Sequence, residues 1–417
     1  MMENHKTNLL AQQGGALIIL VLILVIAGTT ALFSVLDGRS IKIEREQKTR
    51  VTLAEAKAAL IGYMVSRTSS TSRPGDLPCP DRAGDSNYDG TQDAPCSGLL
   101  RIGKFPWSNV NISGVPIEGI MLDLTDANGD RLWYAVSDNN LSGTFNSDLL
   151  ITPPPNPWLS VYDSRGNLLT NRAVAVIISP GGMLNAQDRS ATLPNAAQYL
   201  DSVTLNGVVF NNAAASAAKF ISGNINDPTN PDKVVVNDQV AYITIDEVMP
   251  LIEARVAREA KACLDNYAIA NGGNYPWAAP DLVATYTSTF GTRFGRLPNV
   301  VFSGMDCITS QSWWAINWQK FVFYSFPVSQ QLGSTTGCVA AGDCLTINGA
   351  GAYTAVVMLG RNAVATQDHT ALNAGSFLES TNAIPTTNYI TYKPSDTANY
   401  YVVNDLVLCL DGQNNCK

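Results

Sequence analysis

Histidine is nearly absent from this chain, with only His5 and His369 in 417 residues. That excludes a histidine-rich metal centre, and once an N-terminal leader is removed only His369 is left as a histidine base. Charge is scarce at 15% of residues, and a basic surplus is missing: 27 Lys and Arg stand against 35 Asp and Glu, a net charge of −8. A surface of that sign repels phosphates, so no nucleic-acid partner is expected. The chain has no GxSxG, no HExxH, no phosphate-binding loop and no dinucleotide fingerprint, so no catalytic residues and no enzymatic activity are expected. Apolar residues, by contrast, make up 46% of the chain. They suffice for sizeable cores, and the length predicts two or three domains at roughly 100–200 residues each.

Residues 15–36, GALIILVLILVIAGTTALFSVL, run for 22 positions without a charge. At ~1.5 Å per residue they would span a hydrocarbon core of ~30 Å, which makes them a transmembrane helix candidate. A secretory signal has a shorter apolar run, with its small-residue cleavage site after that run. Here the small pair, Gly14 and Gly15, comes first. The segment Gln13-Gly14-Gly15-Ala16-Leu17-Ile18-Ile19 before the apolar run resembles the class III leader of type IV prepilins and pseudopilins. The resemblance implies cleavage by a prepilin peptidase between Gly14 and Gly15, a leader of residues 1–14, and an apolar helix retained in the inner membrane with the bulk of the chain periplasmic. Gln13 stands where the family usually has Lys or Arg, and Ile19 where most members carry Glu. In pilins that carboxylate is understood to pair with the N-terminal amine of a neighbouring subunit, so its absence points to a minor, tip-proximal or priming position. The positive-inside rule opposes export, since Lys6 alone precedes the helix while Arg39, Lys42, Arg45, Lys48 and Arg50 follow it. The even cysteine count, the low charge and the leader favour export.

Residues 37–67 read as an amphipathic continuation of the helix, with Val51, Ala54, Ala58 and Ile61 on one face. From 68 to 240 turn residues and short β-rich runs such as LWYAV and AVAVII predict a sheet domain, with a hairpin turn at Asn128-Gly129, a rigid loop at Thr152-Pro-Pro-Pro-Asn-Pro, and a linker at GNINDPTNPDK, 223–233. From 241 to 417 a second unit opens on a capping box, Thr244 to Glu247. Its helix carries Ile252, Val256, Ala260, Cys263 and Tyr267 on one face, and Pro250 is expected to kink or restart it. The two units align as a repeat. EAKAALIGY at Glu55 matches EAKACLDNY at Glu259, RIGKFPW at Arg101 matches RFGRLPN at Arg293, and Trp133-Tyr134 matches Phe323-Tyr324. AQDR ending at Arg189 matches TQDH ending at His369, and AQYLDS ending at Ser202 matches GSFLES ending at Ser380. Across these five blocks the offset shrinks steadily from 204 to 178, as insertions and deletions in a duplicated domain would make it do. The expected fold class is α+β, a long N-terminal helix and two helix-plus-antiparallel-sheet domains. The ending of the second helix, Tyr267 through Asn-Gly-Gly-Asn-Tyr-Pro276, resembles that of pilin globular domains.

Short spacings in an exported chain favour local disulfides between Cys79 and Cys96, Cys338 and Cys344, and Cys409 and Cys416. Cys263 and Cys307 remain as a fourth pair, although eight cysteines allow 105 connectivities. The terminal loop also resembles the C-terminal disulfide loop of pilins. Within the first loop Asp85, Asn87, Asp89, Thr91 and Asp93 alternate like the start of a calcium loop. Cys96 stands where a bidentate Glu would be needed, and the competing reading is an Asx-rich turn without metal. Asp126-Ala-Asn128-Gly-Asp130 alternates similarly but reads more economically as a hairpin turn. Trp313, Trp314 and Trp318 are either core or a contact patch, and the register of His369 on Arg189 favours a polar structural role for the histidine. The functional expectation is a minor pilin or pseudopilin subunit of a type IV pilus or type II secretion system, partnered by prepilin peptidase and other pilin or pseudopilin subunits. The alternative is a membrane-anchored, calcium-dependent adhesin or ligand-binding protein outside any filament.

Overall fold

A computed structural model describes residues 41–66, 73–82, 88–97, 101–110, 114, 119–141, 145–150, 157–184, 187–193, 195–214, 219–227, 229–282, 285–302, 313–327, 344–361, 367–391 and 403–410. The leader, the apolar run 15–36 and the loop 152–156 lie outside them. No helix among the described residues is long and apolar enough to cross a membrane. The fold contains both helices and mostly antiparallel sheet, with two parallel strand pairings, and is α+β.

Helix α1 covers residues 41–66. It buries Leu53, Ala56, Leu60 and Met64, while Val51, Ala54 and Ala58 are exposed and Ile61 is only partly buried. The apolar face therefore lies away from the one its own periodicity suggested. In an alanine-rich helix two faces score alike, and the larger side chains decide which one packs. The repeat register marks the correct face, because Leu53, Ala56, Leu60 and Met64 fall on Ala257, Ala260, Leu264 and Ala268, all buried in the second helix.

The first sheet is built from β1 (Ile102–Lys104), β2 (Trp133–Val136), β3 (Leu159–Tyr162) and β4 (Leu168–Ser179). Its chain continues through β5 (Ser202–Leu205), β6 (Val208–Asn211), β7 (Lys219–Ile221), β8 (Ile225–Asp227), β9 (Asn230–Val236) and β10 (Gln239–Thr244). The order is β1-β2-β4-β3-β7, with β10 also on β4. The first unit thus extends through Thr244, and a boundary at 240 would cut β10. The segment expected to be a linker is instead the antiparallel hairpin β8–β9. Its Asp227 and Thr229 close a side-chain turn that Pro and Asn content alone made look like a linker. Pleating sends Tyr134, Ala175 and Ile177 into the core under the helices, and Trp133, Ala135, Val176 and Ile178 into a second core on the opposite face. Strands covered on both sides read as continuous apolar runs, which is what WYAV and AVAVII are.

Helix α2 (Ile245–Ala270) starts directly after β10. The Thr244 hydroxyl accepts from the Glu247 N–H at 3.2 Å, but the Glu247 carboxylate turns to Lys57 of α1 at 2.8 Å, so half of the expected capping box forms. The helix runs through Pro250 without a break. Pro250 sits in the second turn and removes a single hydrogen bond near the helix start, and Val248, Met249 and Ile252 beside it are fully buried, so packing outweighs that loss. The predicted face of α2 is buried at Ile252, Val256, Ala260 and Cys263. Gly272 and Gly273, at φ 67° and 88°, end the helix, the Gly273 N–H returning to the Ala268 carbonyl at 2.7 Å.

The second sheet has the order β11 (Phe294–Arg296), β12 (Val322–Ser325), then β15 (Ala355–Leu359) and β17 (Leu406–Leu410), with β13 (Leu345–Ile347), β14 (Ala350–Tyr353) and β16 (Asn388–Tyr389) in a side sheet. It repeats the first in detail. Gly103 faces Tyr134 across β1–β2, and Gly295 faces Tyr324 across β11–β12. A Cβ on Gly103 would meet the Asp81 carbonyl at 2.2 Å, and one on Gly295 the Ala279 carbonyl at 2.2 Å. Both glycines admit an extra strand-like segment, bridged Asp81–Lys104 in one unit and Ala279–Arg296 in the other.

A buried carboxyl pair closes each unit. In the first, Asp238 Oδ2 accepts from the Asp201 N–H and from Asn212 Nδ2, both at 2.8 Å, and Asp201 Oδ2 accepts from the Asn237 N–H at 2.8 Å. In the second, Asp405 Oδ2 accepts from the Glu379 N–H and Asn382 Nδ2, both at 2.9 Å, and Glu379 Oε2 from the Asn404 N–H at 3.1 Å. Gln187 and Gln367 donate to the other oxygens of Asp201 and Glu379.

The units share one continuous core around α2, which packs on β15 and β17 and also touches β4 and β10. At its centre is Glu253, fully buried, accepting from Ser147 Oγ of the first unit at 2.7 Å and from Arg361 Nε of the second.

Candidate functional site

Lys104 ends the short edge strand β1 and is buried, with 8% of its surface exposed. Strand register places it opposite Trp133. Its ammonium is 4.3 Å from the Trp133 ring centre and 3.9 Å from that of Tyr199, a residue brought over the sheet by the turn at Ala196–Gln198. Among the described residues it makes neither a hydrogen bond nor an ion pair. Burial pushes its pKa down to about 8, against the upward pull of Asp130.

The amine faces a cavity of about 250 Å³ walled by Tyr88, Trp107, Tyr199, Asp81 and Asp130. The acids and the other cations there are already engaged. Asp130 Oδ2 holds Arg189 Nη1 at 2.6 Å, and the Arg189 guanidinium lies over Tyr199. Arg131 is bidentate on Asp123 at 3.1 and 2.9 Å and covers the Trp107 ring. Asp81 Oδ2 accepts from the Gly90 N–H at 2.8 Å. Gly90, at φ 87°, has no room for a Cβ, which would meet Trp107 at 2.2 Å. Burial, with Asp81 second, pushes the Tyr88 phenol up to about 12.

The repeat supplies an internal control. Arg296 occupies the Lys104 position in the second unit, stacked between Phe323 at 4.4 Å and Phe377 at 4.5 Å. Its guanidinium donates to the carbonyls of Lys320 and Leu372, so its hydrogen-bonding capacity is used within the protein. The sequence reading passed over Lys104. The signal was in the RIGKFPW and RFGRLPN match, where both copies keep a second cation, Lys104 or Arg296, directly after the strand glycine.

Of the residues singled out beforehand, Cys79 and Cys96 are joined in a disulfide. Cys263, Cys344 and Cys409 are also disulfide-bonded, while Cys307, Cys338 and Cys416 lie outside the described residues. Gly14 and Gly15 lie outside them too, as do Asp85 and Asn87 of the proposed calcium loop. The described half of that loop is internally engaged: Asp89 Oδ1 accepts from the Thr91 N–H at 2.8 Å and Thr91 Oγ1 at 2.6 Å, and Asp93 Oδ2 from the Arg82 N–H at 2.6 Å. No group of three potential metal ligands occurs among the described residues. Asp126 forms the hairpin turn, accepting the N–H groups of Asn128 and Asp130.

The tryptophan contact patch is corrected. Trp313, Trp314 and Trp318 are 6%, 1% and 0% exposed and belong to the core. The helical turn Trp314–Trp318 rotates them inward, and Asn317 Nδ2 ties it to the Phe145 carbonyl of the first unit at 3.2 Å. His369 is structural in geometry, stacked on Phe377 with its Nδ1 2.5 Å from Asp148 Oδ1, while Lys320 Nζ holds Asp148 Oδ2 at 2.7 Å. Burial raises the Asp148 carboxyl, but the bonds from His369 and Lys320 outweigh it and hold the pKa below the ordinary value. No protein-family model, curated protein or solved structure matches the chain.

Proposed function

We propose that the chain is a structural subunit of pilin type, a minor pilin or pseudopilin-like protein held in a membrane by residues 15–36 and presenting two duplicated α+β units outside it. The observation carrying this reading is the start of α1. Residues 41–48 are helical yet mostly exposed, with Ile41 51% and Ile43 60% exposed, and the first buried residue is Thr49. A helix that leaves the globular body a few residues after an uncharged 22-residue run has the form of a stalk continuing into that run. The leader-like Gln13-Gly14-Gly15 supports an assembly role.

Coexpression with a prepilin peptidase is expected to shorten the protein by its first 14 residues, with Gly15 as the new N-terminus on sequencing, and Gly14→Val to block the cut. An unchanged mass, with no effect of the valine, would reject the reading. The anchored-adhesin alternative includes calcium in the 85–93 loop. It predicts an unfolding midpoint higher in excess calcium than in chelator by the amount RT ln(1+[L]/Kd) requires, and equal midpoints remove the ion.

A further inference from the structure

The structure assigns a ligand site to the cavity at Lys104: we propose that it takes a small organic carboxylate with an apolar or aromatic body, the carboxylate on the Lys104 ammonium and the body between Tyr88, Trp107 and Tyr199. Three observations carry this. Lys104 is 8% exposed and, among the described residues, has no oxygen partner, although a buried ammonium is costly without one. Its counterpart Arg296 has the same aromatic sandwich but spends its donors on the Lys320 and Leu372 carbonyls. The unmet donor is therefore specific to the first unit and is not a requirement of the fold. The cavity beside it is about 250 Å³, below the usual ~300–1,000 Å³ of drug-sized pockets, which limits the ligand to a compact molecule.

The neighbouring ion pairs leave the amine open to an anion, with the Asp81 carboxylate as the opposing charge on the cavity wall. Asp130 is held by Arg189 and Arg131 by Asp123, so these pairs leave Lys104 as the cation without a partner. Asp81 contributes a weaker attraction, and Arg189 and Arg131 oppose protonation of the amine. Tyr88 and Tyr199 are both pushed up by burial and stay neutral at physiological pH. A carboxylate would thus meet an ammonium that reaches solvent only through the cavity and is flanked by π faces, where a charge-assisted hydrogen bond is stronger than on an open surface.

The test uses the whole chain, with benzoate as probe, benzamide as its neutral isostere and acetate as the anion without an aromatic body. Binding is followed by tryptophan fluorescence and by the unfolding midpoint. Benzoate is expected to bind saturably and about tenfold or more tighter than benzamide, in line with loss of one charge-assisted bond. It should also bind tighter than acetate. Affinity should fall about tenfold per pH unit once the pH passes about 8, as Lys104 loses its proton. Lys104→Met, which keeps an unbranched side chain of similar length without the charge, should abolish the benzoate preference. Equal binding of benzoate and benzamide by the unaltered protein, or a benzoate affinity flat from pH 7 to 10, overturns the proposal whether or not the methionine variant folds.

Discussion

Glu253→Ala is expected to destabilise the protein by about 3–5 kcal/mol, the usual cost of removing one partner of a buried ion pair. Glu253 is fully buried on α2, and its two oxygens are divided between the units, one on Ser147 and the other on Arg361. Burial pushes its pKa up, with the Arg361 guanidinium opposing, so the carboxylate depends on that partner to remain ionised. Alanine would leave Arg361, itself 6% exposed, as a buried charge without this carboxylate. Glu253→Gln keeps the acceptor for Ser147 and loses the charge, so it should fall between alanine and the unaltered protein. The double variant Glu253→Met, Arg361→Met should recover most of the loss, because an apolar pair of similar volume replaces the ion pair without desolvating a charge. Urea unfolding followed by circular dichroism measures all three. A Glu253→Ala midpoint within error of the unaltered protein would mean that the α2 junction does not hold the units together as described.

The second large effect concerns the carboxyl pairs Asp201–Asp238 and Glu379–Asp405. Burial and the adjacent carboxylate push Asp238 and Asp405 well above their ordinary range, because two carboxylates in contact without water cannot both ionise. In each pair the fully buried member, Asp238 or Asp405, is thereby pushed toward its protonated form. A raised folded pKa stabilises fully below the unfolded value, near 3.8 for Asp, and that contribution is lost as pH rises through the folded value. With respect to these pairs the protein should be more stable at pH 5 than at pH 8. Asp238→Asn keeps an acceptor for the Asp201 N–H and Asn212, and supplies an N–H toward Asp201 in place of the Asp238 proton. It should lower the slope of stability against pH at little cost at low pH, and Asp405→Asn should do the same for the second unit. Asp238→Ala strips the acceptor from two buried donors at about 1–3 kcal/mol each, a loss of roughly 2–6 kcal/mol. Unfolding free energies measured from pH 5 to 8 separate the outcomes. An unchanged pH slope in the double asparagine variant would refute the protonation of Asp238 and Asp405.

These pairs show how far residue pattern reaches here. The duplication was legible because its matched blocks stay collinear, and the structure extends them to residues no local motif marks: Asn212 and Asn382, Asn237 and Asn404, Asp238 and Asp405. Read singly, these are polar residues in loops, with nothing to set them apart from the many other Asn and Asp of the chain. The Lys104 cavity was hidden for the same reason. Its walls come from Asp81, Tyr88, Lys104 of β1, Trp107, Asp130 and Arg131 ahead of β2, and Tyr199, and no spacing rule joins positions so far apart.

Local chemistry determined the α+β class, the helix start at Thr244, the turn at Asn128-Gly129, the apolar face of α2 and the disulfide between Cys79 and Cys96. Each rests on interactions within a few residues or on a short loop, which a linear reading captures. Tertiary structure decided which face of α1 packs, turned the 225–236 segment into a hairpin and buried the tryptophans. It also decided that one of two equivalent buried cations has its donors satisfied while the other faces a cavity. These outcomes depend on surfaces from distant parts of the chain meeting, and on which polar groups find partners once water is excluded.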